Sequence, residues 1–267
     1  MKVLVVGCGN MGYTYLESFQ RSHILTESDF LILEKTEGRK KELNQLGYNN
    51  VYLEPGDYIK EGDVVILSVK PQDFQKVAAS IRPFLAQDQV FISIMAGVTI
   101  STTQEHLGVE KVIRSMPNLP SQVGVGMTTF TAADAVTRGE LMFAQNLLGS
   151  TGQAMYLKEE KMIDASTAIS GSGPAYVFYF MNALIHAGVD MGFSQAEAEQ
   201  LVKQTFRGSI QLQSKSKDSC EDWIAKVASK GGTTEAAINH FNNDEVLNKI
   251  KEGAKAALNR AIELGKN

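Results

Sequence analysis

The feature that most restricts the fold is a glycine-rich turn between a strand and a helix near the start of the chain. An apolar run over residues 3–6 is typical of a buried parallel strand, and a helical pattern follows the turn as far as Arg21. The turn has the form G-x-G-x-x-G. Gly7 permits the tight turn, Gly9 lets a pyrophosphate approach the backbone, and Gly12 lets helix and strand pack closely. We therefore predict a dinucleotide-binding domain; a tight turn without a ligand is the alternative.

Short apolar runs continue to alternate with helical patterns up to about residue 158. This alternation predicts a doubly wound α/β sheet, in which ligands gather at the carboxyl ends of the strands. We predict helix starts with capping boxes at Ser101, Thr137, Ser194 and Ser219. Beyond Asp164 the pattern is helical. The prediction is a Rossmann-type domain over 1–158 and an all-α domain over 159–267. Strands are predicted at 30–33, 64–67, 91–94, 112–114, 127–130 and 154–157.

The acidic residue at the end of the second strand bears on the choice of cofactor. Glu34 stands about twenty residues beyond the glycines, where a carboxylate accepts hydrogen bonds from the adenosine ribose and repels a 2′-phosphate. Glu34 therefore favours NADH. Lys35, Arg39 and Lys40 follow at once and leave NADPH open, although they also suit a solvated helix face. The predicted cofactor contacts are Gly7, Cys8, Gly9, Asn10, Met11, Gly12, Glu34, Lys35, Ser68, Val69, Lys70, Pro71, Met95, Ala96 and Gly97.

Composition excludes several classes of function. The chain is 43% hydrophobic and 21% charged with a formal net charge of −4, and it has no basic stripe for nucleic acid. No apolar run is long enough to span a bilayer. Cys8 and Cys220 are far apart and the four histidines are scattered, so we expect no disulfide framework and no metal site. The opening run breaks at a glycine too soon for a signal peptide. We expect a cytoplasmic protein.

A long apolar helix is predicted after Ser170-Gly171-Ser172-Gly173-Pro174. Proline suits the first helical turn, and Ser172 or Gly173 can cap it. The helix is apolar on nearly every side, so it must be buried on nearly every side, which favours a partner subunit. An ordinary central helix in a two-domain protein is the alternative.

A second glycine-rich turn occupies residues 231–234. Backbone N–H groups at a helix N-terminus, with the hydroxyls of Thr233 and Thr234, can bind a small anion such as a carboxylate. A turn in which a threonine serves only as the N-cap explains the pattern equally well. In addition, the stretch 175–187 lacks the lysine that a β-hydroxyacid dehydrogenase uses as a base. Hydride transfer to an imine needs no such base.

Motifs along the whole chain resemble those of pyrroline-5-carboxylate reductases. The most specific are Ser170-Gly171-Ser172-Gly173-Pro174-Ala175-Tyr176 and Ser229-Lys230-Gly231-Gly232-Thr233-Thr234. Four further motifs resemble those of the same family: the glycine loop, Val69-Lys70-Pro71, Ala96-Gly97 and Arg114-Ser115-Met116-Pro117-Asn118. Two positions depart from the pattern of the family: Lys226 stands where some relatives have an asparagine near the cofactor, and Pro55 stands where the adenosine-side asparagine is expected.

The resemblance implies hydride transfer from NAD(P)H to the C=N of 1-pyrroline-5-carboxylate, giving L-proline. It implies that the Thr234 hydroxyl hydrogen-bonds the ring nitrogen and that Glu160 lies near the substrate. It also implies that the all-α domain over 159–267 is a dimerisation and substrate-binding domain, whose C-terminal helices form a homodimer, with a decamer as the larger assembly. A same-fold reductase of another cyclic imine, a hydroxyacid dehydrogenase and a nucleotide-sensing protein are the alternatives. The implied substrate-binding residues are Glu160, Val227, Ser229, Gly231, Gly232, Thr233 and Thr234.

Overall fold

One sheet of eight strands organises the first part of the computed structural model, which describes residues 1–265. The strands are β1 (Val3–Val6), β2 (Phe30–Leu33), β3 (Val51–Tyr52), β4 (Val64–Leu67), β5 (Val90–Ser93), β6 (Val112–Met116), β7 (Gly126–Ala132) and β8 (Gly152–Tyr156). Their order across the sheet is β3-β2-β1-β4-β5-β6-β7-β8. Neighbours are parallel except β6 and β7. The chain order reverses between β1 and β4, where doubly wound sheets bind nucleotides.

Both faces of this sheet are covered by helices. Along β1, Val3 and Val5 belong to one hydrophobic cluster, whereas Leu4 and Val6 belong to the other, because successive side chains point to opposite faces. The first cluster includes side chains of α1, α2 and α5, and the second includes side chains of α3 and α4. The predicted Rossmann-type doubly wound fold is confirmed. These helices are α1 (Asn10–Arg21), α2 (Glu37–Gln45), α3 (Phe74–Ile81), α4 (Ile100–Leu107) and α5 (Arg138–Gly149).

Two local features of this sheet were not predicted correctly. The short edge strand β3 has only two residues, too few for any periodicity to indicate it. The prediction that α4 begins with Ser101 as its cap is wrong. Thr99 has the extended backbone of an N-cap, and its hydroxyl accepts the N–H of Thr102 at 3.1 Å. Ser101 already lies inside the helix, so its spacing to Gln104 forms no capping box. The capping box predicted at Thr137 is present.

From residue 161 onward the described chain is helical. Capping boxes begin two of these helices, at Ser194 with Glu197 and at Ser219 with Asp222, as the sequence predicts. A π-helical turn, Thr167–Gly171, lies between the helices Lys161–Ser166 and Gly173–Asp190. These helices are α6 (Lys161–Ser166), α7 (Gly173–Asp190), α8 (Gln195–Ser214), α9 (Cys220–Val227), α10 (Thr233–Asn243) and α11 (Val246–Leu264).

Contacts divide the chain into two compact units. The first contains Met1–Ser172 together with the chain from residue 257, and the second is Gly173–Ala256. The predicted boundary at 158/159 follows the change from strands to helices and stays a prediction. In the second unit, α7 has no fully buried residue, and Phe178 and Tyr179 are 58% and 73% exposed. None of the described helices combines the length and apolar character needed to cross a membrane.

Candidate active site

The glycine loop after β1 is shaped by close backbone approaches. Gly7 has a φ of +84°, and a Cβ there would lie 2.9 Å from the carbonyl oxygen of Ser68. A Cβ on Gly12 would lie 2.5 Å from the carbonyl oxygen of Gly7. A Cβ on Gly9, by contrast, would meet no atom within 4 Å. The protein itself therefore requires glycine at positions 7 and 12, and it leaves open space above Gly9.

That open space lies at the N-terminus of α1. Gly9 is the N-cap and provides no side-chain hydrogen bond, and α1 has no acidic residue in its first turn. The first N–H groups of a helix lack intrahelical partners and attract anions. This arrangement of open space and uncapped N–H groups fits the pyrophosphate of a dinucleotide.

Glu34 and Arg39 hold the peptide groups of Cys8 from two directions. The Glu34 carboxylate accepts the Cys8 N–H, and the Arg39 Nε donates to the Cys8 carbonyl oxygen at 2.9 Å. The guanidinium of Arg39 also pairs with Glu42 at 2.9 Å and lies 5.3 Å from the ring centroid of Tyr13. Burial raises the pKa of the Cys8 thiol to about 12, so the thiol is neutral. The carboxyl end of β2 is therefore joined to the glycine loop.

The other predicted cofactor segments follow neighbouring strands. Residues 68–71 come after β4, where a built Cβ on Gly7 would also contact the Val69 side chain at 2.9 Å. Lys35 Nζ, after β2, lies 3.7 Å from Asp73, just beyond this segment. Met95, after β5, is buried. The sheet order therefore brings all the predicted cofactor segments to one edge of the sheet.

Glu160 is engaged by the protein rather than free. Its Oε1 accepts the Ile100 N–H at 2.8 Å and pairs with Arg114 Nη1 at 3.1 Å. The other terminal nitrogen of Arg114 pairs with Asp164. Arg114 was not among the predicted site residues. The available signal was a charged residue directly after the apolar Val112 and Ile113 of a buried strand, because a buried charge must find a partner.

The predicted substrate loop lies entirely in the second unit. Gly231 has a φ of +74°, and Gly232 is the N-cap of α10, without a side-chain hydrogen bond. The interpretation of a threonine as the N-cap is therefore wrong: Thr233 and Thr234 form the first helical turn. The Gly231 N–H donates to Glu235 Oε2 at 2.7 Å. The α10 N-terminus thus presents N–H groups that no N-cap side chain occupies. Val227 ends α9, and Ser229 accepts the Gly232 N–H through its carbonyl oxygen at 2.9 Å.

Comparison with known proteins indicates one family, and the similarity extends over the whole chain. Residues 160–264 match the family described as pyrroline-5-carboxylate reductase dimerisation, and residues 2–97 match NADP oxidoreductase coenzyme F420-dependent. The pyrroline-5-carboxylate reductase of Staphylococcus haemolyticus is 32% identical, covering 100% of this chain and 99% of the relative. The chain belongs to the pyrroline-5-carboxylate reductase family. It is therefore an NAD(P)-dependent oxidoreductase with a helical region that serves oligomerisation in the family.

Two further relatives cover nearly the full length. The pyrroline-5-carboxylate reductase of Aquifex aeolicus is 33% identical over 96% of this chain and 97% of its own length. The crystal structure of Plasmodium falciparum pyrroline carboxylate reductase, with NADP bound, superposes with a TM-score of 0.90. That structure is 26% identical and covers 99% of this chain and 98% of its own. Among residues 1–265, no group of three or more His, Cys, Asp or Glu side chains could hold a metal ion.

Proposed function

We propose that this chain reduces the C=N bond of 1-pyrroline-5-carboxylate with NAD(P)H, which gives L-proline. The observation that carries the proposal is membership of the family over the full length of the chain, together with the open space at Gly9. When bound, the cofactor supplies the hydride for the ring carbon of the imine. The protein must then hold both molecules in register, which is the main requirement because a protonated imine is already a good electrophile.

The cofactor residues divide this work by position on the sheet edge. The N–H groups at the start of α1 bind the pyrophosphate above Gly9. Residues 68–71 and 95–97 bind the nicotinamide half, since they follow the strands on the other side of β1 from Glu34. Met95 is buried and gives that loop a fixed base, while the small side chain of the neighbouring Ala96 leaves room for a ring. The space at Gly97, by contrast, is taken by the backbone of Gly265.

The α10 N-terminus binds the substrate in this proposal. The N–H groups of its first turn receive the substrate carboxylate, because no N-cap side chain competes for them, and the Glu235 carboxylate in the same turn accepts the Gly231 N–H instead. The Thr234 hydroxyl then orients the ring nitrogen by a hydrogen bond. Val227, Ser229 and Gly232 shape the loop that leads to this N-terminus.

We infer a preference for NADH over NADPH. The Glu34 carboxylate lies against the glycine loop, where it would repel a 2′-phosphate. Two of the three basic side chains that follow Glu34 already have partners, because Arg39 is held by Cys8 and Glu42 and Lys35 lies beside Asp73. Neither cation is therefore free to compensate for Glu34 without first losing a contact.

We also propose an assembly and a location for this chain. We propose a homodimer built by the C-terminal helices, because α7 leaves large apolar side chains exposed in the single chain. A decamer of five such dimers and a cytoplasmic location belong to the same proposal.

A steady-state assay tests the function directly. The purified protein should oxidise NADH, and NADPH less efficiently, when 1-pyrroline-5-carboxylate is supplied. Six-membered cyclic imines and open-chain keto acids serve as the comparison substrates. Faster turnover of the six-membered imine would favour the same-fold imine reductase, turnover of a keto acid would favour a dehydrogenase, and cofactor binding without turnover would indicate a nucleotide sensor.

A further inference from the structure

The side chain of Arg114 is the most deeply buried charge in the described chain. It lies on β6 and is only 1% exposed. Its guanidinium pairs with two carboxylates at the start of the helical region, Glu160 and Asp164. A buried charge is tolerated only when it is paired and hydrogen-bonded, so this junction has a defined geometry.

One of the two carboxylates also holds a backbone group. The same Glu160 oxygen that pairs with Arg114 accepts the Ile100 N–H at 2.8 Å. Ile100 is the first residue of α4, and the helix follows directly on the loop at 95–99. Its N–H is one of the groups that a helix start leaves without an intrahelical partner. The ion pair therefore fixes the exit of the loop that we assign to the nicotinamide half of the cofactor.

The rest of the same loop is held by packing. Met95 is 2% exposed at the entry, and the Ser115 hydroxyl, next to Arg114 on β6, donates to the carbonyl oxygen of Ser93 just before it. In the middle, a Cβ on Gly97 would lie 2.9 Å from the backbone nitrogen of Gly265, so the end of α11 packs directly on the loop. Of these contacts to the loop, only the one at its exit, between Ile100 and the Glu160 carboxylate, involves a charged group.

We propose that Arg114 is a positioning residue for the cofactor, acting through Glu160 on the loop 95–99. Arg114 cannot contact a ligand itself, because its side chain is buried. Glu160 in turn serves chiefly to set the loop, rather than to bind the substrate as the family resemblance implies. This inference rests on the cofactor-binding part of the proposed function, since it assumes that the loop contacts the cofactor.

Binding of NADH and NADPH in the absence of substrate, followed by nucleotide fluorescence, separates these roles. In Glu160→Ala the loop exit loses its hydrogen bond to a charged group, and the Kd for the nucleotide should rise about tenfold. Glu160→Gln keeps an oxygen acceptor for the Ile100 N–H and should stay within about threefold of wild type. Arg114→Met should resemble Glu160→Ala. In steady state, the KM for nucleotide should rise more than the KM for 1-pyrroline-5-carboxylate.

Glu140 provides a matched control. It too accepts a backbone N–H at a helix start, that of Thr137 at 2.8 Å, and it too pairs with a cation, Lys111 at 2.7 Å. Glu140→Ala should therefore lower thermal stability while leaving the Kd for nucleotide unchanged.

The possible results are distinct. Unchanged nucleotide binding in Glu160→Ala overturns the proposal, as does an equal loss of binding in Glu140→Ala, which would indicate general destabilisation. A rise confined to the KM for 1-pyrroline-5-carboxylate would make Glu160 a substrate contact instead. If Arg114→Met does not fold, Glu160→Ala decides alone. If the wild-type protein binds nucleotide but does not reduce the imine, the proposed function fails while this inference stands.

Discussion

Single Gly→Ala substitutions in the glycine loop can distinguish the glycines that the fold requires from those that the cofactor requires. Gly12→Ala would place a Cβ 2.5 Å from the carbonyl oxygen of Gly7, and a backbone atom cannot move aside cheaply. Gly9→Ala would place a Cβ in open space, at a φ of −71° that alanine adopts readily. Any need for glycine at position 9 must therefore come from a ligand.

The expected magnitudes differ accordingly. Overpacking costs about 1–3 kcal/mol, so Gly12→Ala should lower the free energy of unfolding by that amount and the Tm by about 2–4 °C per kcal/mol. In Gly9→Ala, the weaker N-cap costs about 0.5–1 kcal/mol, and the reduced entropy of the unfolded chain returns about 0.4–1 kcal/mol. Its stability should change little. If the pyrophosphate lies against the loop, the same 1–3 kcal/mol appears as a Kd raised about 5- to 150-fold.

Thermal melts and NADH fluorescence titrations measure the two quantities. Gly139→Ala, at an exposed helical position where a Cβ meets nothing within 4 Å, is the control and should change neither binding nor, by more than about 1 kcal/mol, stability. Wild-type NADH affinity in Gly9→Ala would refute the argument, because the pyrophosphate would then not lie against Gly9. A large loss of stability in Gly9→Ala would refute it equally.

Four further predictions follow from the assigned roles. Thr234→Ala should lower kcat/KM by roughly tenfold to a hundredfold, about 1.4–2.7 kcal/mol, in steady-state assays. Glu34→Ser should raise the kcat/KM ratio of NADPH to NADH; an unchanged ratio would mean that Glu34 does not face the ribose. Tyr179→Asp, on the exposed face of α7, should give monomers in light scattering. Burial raises the pKa of Cys8 to about 12, so its contribution to stability is complete below about pH 9 and declines as the pH rises toward 12; in Cys220→Ser, Ellman's reagent at about pH 8 should find no reactive thiol until the protein is denatured.

The sheet and most helix starts were predictable because their causes are local in sequence. Strands β1 and β4 are buried on both faces, so all of their residues are apolar and the run itself reveals the strand. The boxes at Thr137, Ser194 and Ser219 each satisfy helix N–H groups with a residue three positions away. A short sequence pattern that contains both residues of a contact predicts that contact without knowledge of the fold.

The errors have the opposite character. Thr99 and Ser101 lie two residues apart, and each has a hydroxyl group that could cap a helix. Only the backbone conformation, set by the exit from β5, decides that Thr99 is the N-cap of α4. Arg114 meets its partners 46 and 50 residues later in the chain. Nothing in the local sequence indicates that pairing. It depends on the order of the strands, because β7 pairs with β6, β8 pairs with β7, and the chain after β8 then brings Glu160 and Asp164 to Arg114.

This difference bears on how residue roles transfer between relatives. A carboxylate such as Glu160 can be matched by motif to a substrate-binding role, while its contacts in this chain are a buried guanidinium and a helix N–H. Each of those two contacts accounts for an acidic residue at that position without any ligand. By contrast, no protein contact accounts for glycine at position 9, where a methyl group would meet nothing. Assignments of function are therefore strongest where the fold alone leaves a residue unexplained. On that criterion Gly9 carries the cofactor assignment, whereas the contacts of Glu160 with Arg114 and Ile100 account for its acidic side chain without a ligand.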